Sequence, residues 1–160
     1  MEEELGAFFR LKCFVFPKNN HWFKRILLVF AFIFFDYLAT MAFCRFPWEE
    51  ANVYARFFME SFGVQAGLTL FVFVANLPIY VTLSLDSHLV RFPAKMAAIV
   101  ESLTDFVFAW FIAGLHFSGG TSWFWSASDV VRHVLGAFLY LIIAFIFVKP
   151  HRPCYGEKGA

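Results

Sequence analysis

"ILLVFAFIFFDYLATMAF", residues 26–43, carries a single formal charge, at Asp36, in an otherwise apolar or weakly polar run. A stretch of this kind is close to the roughly 20 residues that cross the hydrocarbon core of a bilayer as a helix, the conformation that satisfies its own backbone there. Runs of similar character recur at 62–83, 94–117 and 130–148. The chain as a whole is 160 residues long, 61% hydrophobic and only 16% charged, with a mean hydropathy of +0.67. Soluble domains carry about a quarter charged residues, so an aqueous globule is excluded. The pattern predicts an all-α polytopic membrane protein, a four-transmembrane-helix bundle forming one membrane domain over residues 1–160.

The breaks between the runs read "CRFPWEEAN" (44–52), "SLDSHLVRFP" (84–93) and "SGGTSWFWSASD" (118–129). In the last, Trp123 and Trp125 suit a membrane interface, Ser118 to Gly120 reads as a flexible loop, and Ser126 with Asp129 resembles a capping box. The first run follows a long charged approach and lacks a clean cleavage site, so it is expected to be retained. An even number of spans puts both termini on one side, and the Lys/Arg balance then assigns that side. Arg10, Lys12, Lys18, Lys24, Arg25, Arg91, Lys95, Lys149, Arg152 and Lys158 fall on the side of the termini, against Arg45, Arg56 and Arg132 opposite. The N-terminal segment 1–25 and the tail 149–160 are therefore expected in the cytoplasm.

A net charge of +1, with no basic stripe interleaved with aromatics, excludes nucleic acid as a partner class. Cys13, Cys44 and Cys154 are widely spaced, with the first and last expected across the membrane from Cys44, so no disulfide framework is implied. The lipid bilayer is the expected surrounding. The many phenylalanines supply lipid-facing bulk, and no phosphate-cradling or nucleophile motif names a cofactor.

Polar groups inside apolar helices are costly and therefore informative. Asp36 shares a helix face with Thr40, one turn on. Glu101 and Asp105 are also spaced i, i+4, with His116 about three turns further on nearly the same line, and two acids so close call for a proton or a cation to neutralise them. Gln65, Thr69 and Asn76 form an amide–hydroxyl–amide stripe assigned to the bundle interior. Gly63 and Gly67 lie opposite, as a small-residue face for another helix or a second protomer. Depth matching places Asp36 beside Asp105, with an outer polar group of Glu49, Glu50, Asn52, His116, Arg132 and His133, in which Glu50 is the expected partner of Arg132. His116, Asp129 and His133 are the candidate metal ligands, since histidine with carboxylate suits zinc.

Asp36 and Thr40 in "DYLAT", followed by Glu50 and Asn52 in "EEAN" and an apolar second span, resemble the small prokaryotic membrane proteins grouped as the DUF5658 family. The resemblance covers about the first half of the chain. The family pattern continues Asn-Pro where this chain has Asn52-Val53. It implies a few membrane helices in a bacterial or archaeal inner membrane and brings no established activity.

Three functions fit these residues. The leading expectation is a small transporter-like or channel-like protein whose intramembrane carboxylates respond to protons or cations. The alternatives are a structural or accessory subunit that docks a partner through Gly63 and Gly67, and a membrane-embedded, metal-dependent enzyme at the outer leaflet using His116 or His133 with Glu49 or Glu50.

Overall fold

The first apolar run forms helix α1, Asn20–Phe43, in a computed structural model that describes residues 20–89 and 94–148. The basic residues 10, 12 and 18, Cys13, Arg91, and the tail with Lys149, Arg152, Cys154 and Lys158 lie outside the described residues. Helix α1 stops before Pro47, whose ring disfavours helical backbone at the residue ahead of it. Phe46 is accordingly extended, at φ −131° and ψ 144°. A short 3₁₀ turn, Pro47–Glu49, follows.

Helix α2, Val53–Phe62, was not foreseen from the sequence. Asn52 starts it, its Oδ1 accepting from the backbone N–H groups of Tyr54 and Ala55 at 3.0 and 3.3 Å. This caps two of the donors that a helix start leaves open. Ala55 and Met59, one turn apart, are buried, while Val53, Tyr54 and Phe57 are exposed. Gly63 ends the helix at φ +83°, a conformation that glycine adopts without steric cost, and the chain enters α3, Val64–Leu89.

The third span is one rod in three parts: α4, Ala94–Phe108, a π-helical segment, Ala109–Gly114, and α5, Leu115–Ser122. The fourth is α6, Asp129–Ile143, continued by a second π-helical segment, Ala144–Val148. Four stretches are long and apolar enough to cross a membrane: His21–Phe43, Val64–Ser84, Ile99–Ser122 and Asp129–Val148. The chain is an all-helical, multi-pass membrane protein, and no strand occurs among the described residues.

Helix α1 is central and touches the other three spans. Its buried Val29, Phe32 and Ile33 meet Ala109 and Ala113 of the third span and Ala137 and Tyr140 of the fourth. Small side chains at this seam let the backbones approach, the usual basis of helix association where lipid removes the hydrophobic driving force. A Cβ on Gly136 would lie 2.4 Å from the Cβ of Phe117. Large side chains such as Phe34, Phe73, Phe106, Phe138 and Phe145 are exposed on the outside, where lipid would meet them.

Several local expectations are corrected. Ser118 to Gly120 is helical, because α5 runs on to Ser122. Helix α6 is capped by Ser128, whose Oγ accepts from Val131 N–H at 3.4 Å, and Asp129 falls inside the first turn. The polar stripe on α3 divides: Asn76 is buried, but Gln65 and Thr69 are exposed. Gln65 is the second residue of α3, at the end of the span, where an amide has no need of the interior. Of the two alternatives for the small-residue face, an internal helix takes Gly67, since a Cβ there would sit 2.2 Å from the carbonyl oxygen of Phe58 in α2.

That contact makes Gly67 the critical position of the α2–α3 hairpin. Gly67→Ala should push the two backbones apart and lower stability by about 1–3 kcal/mol, the ordinary cost of overpacking. Thermal unfolding in detergent should show the loss, whereas Ala66→Gly at the neighbouring exposed position should shift the midpoint less.

Candidate functional site

Ionic contacts at two levels join α1 to the third span. Arg25 Nε donates to Asp105 Oδ1 at 2.6 Å and Nη2 to Asp105 Oδ2 at 2.9 Å, a two-pronged pair. His116 Nδ1 donates to Asp36 Oδ2 at 2.8 Å. Both pairs join residues 80 positions apart in sequence. Arg25 and Asp36 are thus spaced like Asp105 and His116, about three helical turns in each rod, so the spans run parallel and in register. The charges are swapped between rungs: base on α1 and acid on the third span at one level, acid on α1 and imidazole on the third span at the other.

This register corrects the expected pairing of Asp36 with Asp105. The third span begins at Ile99 and the first at His21, so Arg25 is the fifth residue of its span and Asp105 the seventh of its own. Asp36 and His116 come near the other ends. The carboxylates therefore occupy two sites, not one.

At the first site the Arg25 side chain is 1% exposed, so a residue counted as a cytoplasmic flank lies inside the bundle. Its Nη2 lies 3.7 Å from Glu101 Oε2, and its guanidinium carbon is 4.9 Å from the centre of the Trp22 ring. Tyr140, fully buried on α6, donates to Asp105 Oδ1 at 3.4 Å. Arginine suits this position because its planar fork meets a carboxylate at two points, and the ring of Trp22 adds a cation–π contact. The cluster ties α1, α4 and α6 together.

The second site is a cavity of about 760 Å³ between α1, the 3₁₀ turn, α2, α3 and α5. Asp36, Glu49, Glu50 and His116 contribute its ionisable lining. Thr40, Asn52 and Asn76 contribute neutral polar groups, against an apolar background that includes Ile33, Leu68 and Phe71. The close approach of α5 to Asp36 depends on glycine: a Cβ on Gly119 would stand 2.9 Å from Asp36 Oδ1, and one on Gly120 3.0 Å from Asp36 Cα. Trp123, expected at an interface, instead turns inward and donates from Nε1 to Thr40 Oγ1 at 3.2 Å. Asn76 Nδ2 donates to the Val72 carbonyl of its own helix at 2.8 Å, and its carbonyl oxygen makes no hydrogen bond among the described residues.

The loop over the cavity is held by its own polar side chains. Glu49 Oε2 accepts from the backbone N–H groups of Arg45 and Phe46 at 2.7 and 3.2 Å. Glu50 Oε1 accepts from Asn52 N–H at 2.8 Å, and Arg56 donates through Nη2 to the Glu50 carbonyl at 2.6 Å. Burial pushes the Glu50 carboxyl above the usual carboxylate range, and the neighbouring Asp36 adds to this, while the Asn52 N–H and Arg56 oppose it. Cys44, buried beneath the same loop, is likewise pushed up by burial and donates weakly to the Phe46 carbonyl.

Other expected partners are elsewhere. Arg132 does not meet Glu50: it donates to the carbonyls of Ser118 at 3.2 Å, Trp125 at 2.9 Å and Ala127, and pairs with Asp129. These bonds fasten the last turn between spans, and the Asp129 carboxylate also suits the positive end of α6. His133 packs against the Trp110 ring, with Nε2 beside Gly114 of the π-helical segment. His116, Asp129 and His133 therefore do not converge, and no group of three metal-ligating side chains occurs among the described residues.

No protein-family model, curated protein or solved structure matches this chain.

Removing Arg25 would leave Asp105 and Glu101 unneutralised inside the bundle. Arg25→Met should therefore cost about 3–5 kcal/mol, the scale for breaking a buried pair, and Arg25→Lys should recover only part of it because the two-pronged geometry is lost. Denaturant titration in mixed micelles reads both variants. Glu50 generates a second expectation. Its raised value means that the folded state holds the proton over a pH range where the unfolded chain has lost it. Its contribution to stability is thus greatest at acidic pH and is lost as pH rises from the ordinary carboxylate value through the raised one. Melting curves across that window should fall with pH in the parent and flatten in Glu50→Gln.

Proposed function

We propose that the chain is a small transporter-like or channel-like membrane protein that receives a cation in the cavity around Asp36 and His116. The observation that carries this reading is the Asp36–His116 pair itself: a carboxyl and an imidazole 2.8 Å apart, each about a quarter exposed, in the wall of a 760 Å³ cavity. Carboxyl and imidazole are both ionisable side chains, and ionisable residues within membrane spans commonly mark ion or proton pathways. Three carboxyls against one imidazole make the lining attractive to positive charge. Near the opposite end of the bundle, the Arg25–Asp105–Glu101 cluster acts as the closed barrier. The π-helical segment Ala109–Gly114 lies between Asp105 and His116, and such segments recur at functional sites in helices.

In this reading the termini are cytoplasmic and the cavity faces outward, across the inner membrane of a prokaryote. The excess of Lys and Arg on the side of the termini supports the orientation, and the DUF5658-like "DYLAT" and "EEAN" elements, which border the cavity, support the setting.

A purely structural role is the competing reading, because Glu49 and Asn52 bond the backbone of their own loop. Proteoliposome flux separates the two. The parent should carry a proton or small-cation current, and Asp36→Asn should reduce it by about tenfold or more, the scale of one lost charge-assisted hydrogen bond. A parent without flux, or an Asp36→Asn, His116→Gln double variant with parental flux, would sink the transport reading and leave the structural one.

A further inference from the structure

Helix α2 and the segment that leads into it carry the surface chemistry of a membrane span. The face that α2 turns away from the bundle presents Val53, Tyr54 and Phe57, and the preceding segment adds Trp48, stacked on Phe46 with ring centroids 4.5 Å apart; all five are exposed. An apolar patch of this kind on a water-facing loop is uncommon and marks a surface with a partner. Charge is kept away from it. Arg56 is folded back, donating from Nε and Nη2 to the Glu50 carbonyl at 3.1 and 2.6 Å, and Glu60 stands in the last turn of α2.

The path of α2 sets this patch beside the second span. Phe58 and Met59 meet Gly67, the ring of Phe58 lies 5.8 Å from that of Phe71, and Asn52 and Ala55 share the cavity wall with Phe71 and Val72. A step back along α2 is therefore a step forward along α3, and the two helices form an antiparallel hairpin closed at Gly63. The second span starts at Val64. Val72 is about 12 Å inside it at 1.5 Å per residue, so α2 begins well within the span. Helix α1 ends level with the start of α3, since Met41 shares a pocket wall with Gln65 and Thr69. Residues 44–52 thus descend from that rim, and α2 climbs back to it.

Irregular backbone persists at such depth only inside protein or along a water-filled cavity, with its polar groups satisfied. This segment meets those terms. Glu49 Oε2 accepts from the N–H groups of Arg45 and Phe46, Glu50 Oε1 from Asn52, and Asn52 Oδ1 from Tyr54 and Ala55. The N–H groups of Glu49 and Glu50 donate to the carbonyls of Phe46 and Pro47. A loop in water could leave such donors to solvent. The inner side of the segment lines the 760 Å³ cavity.

We propose that residues 44–62 form a re-entrant hairpin, which dips into one leaflet beside the second span and leaves on the side it entered, with Val53, Tyr54 and Phe57 against acyl chains. Lipid is the occupant of this face because the exposed Leu70 and Val74 of α3 continue it and no exposed charge interrupts it before Glu60. The proposal is independent of what the cavity carries. It places the wall formed by Glu50 and Asn52 at membrane depth, as a half-span between two full ones.

Nitroxide labels on single cysteines test the depth in nanodiscs, in a full chain carrying Cys13→Ser, Cys44→Ala and Cys154→Ser. Val53, Phe57 and Glu60 lie on one face of α2 and span about 10 Å along it. Collision with oxygen relative to a water-soluble nickel chelate should fall in the order Val53, Phe57, Glu60. Equal ratios at the three sites, the mark of a helix lying flat on the surface, overturn the proposal, as does free access of the chelate to Val53. Hydroxyl-radical footprinting of the unsubstituted chain reads the same point without a variant. Corrected for intrinsic reactivity, Tyr54 should oxidise several-fold more slowly than Trp125 in the connection before α6, although it is 77% exposed against 37%. Oxidation of Tyr54 as fast as Trp125 or faster overturns the proposal.

Discussion

The register between α1 and the third span is fixed by two rungs of opposite polarity, Arg25 with Asp105 and Asp36 with His116. Sliding one helix by a turn would leave a guanidinium and a carboxylate without partners in a medium that penalises each heavily. Swapping the charges between rungs also blocks the alternative pairing of Arg25 with His116 and Asp36 with Asp105, which would place like beside like. Apolar contacts in a bilayer cannot set register so sharply, because lipid competes for them on equal terms.

Much of the remaining architecture accommodates this alignment. The rods approach through Ala109, Ala113, Gly119 and Gly120, with Gly136 and Ala137 admitting the fourth span. The π-helical segment Ala109–Gly114 lies between the rungs, and its wider winding changes which side chains face α1 before and after it. The second span is held differently. It leans on α1 and is gripped at its start by α2 through Gly67, which leaves the α1–α3 seam open enough for cavities on its inner and outer faces.

The same polar residues divide their labour between shape and chemistry. Glu49, Asn52 and Arg132 satisfy backbone groups of the connecting segments and so define the rim. Asp36, Glu50, His116 and Asn76 remain turned toward the cavity. Among the described residues, the polar groups that neither cap a helix nor close a loop gather chiefly at this cavity and at the Arg25–Asp105–Glu101 cluster.

The sequence by itself determined that four apolar runs cross a membrane and that Asp36, Glu101, Asp105 and His116 are costly enough there to require partners, because run length and polarity are local properties governed by the bilayer. It also placed Asp36, Thr40, Glu50 and Asn52 in one neighbourhood, since they are close along the chain. The matched eleven-residue spacings of Arg25 with Asp36 and Asp105 with His116 were legible too, although only the placement of one helix beside another gives them meaning. Tertiary structure alone decided which acid meets which base, that Arg25 lies inside, that Trp123 turns inward, and that an amphipathic helix occupies Gly67. Those outcomes depend on axial alignment to within a single helical turn, and a difference of a few residues in where each span begins moves a side chain from one partner to another.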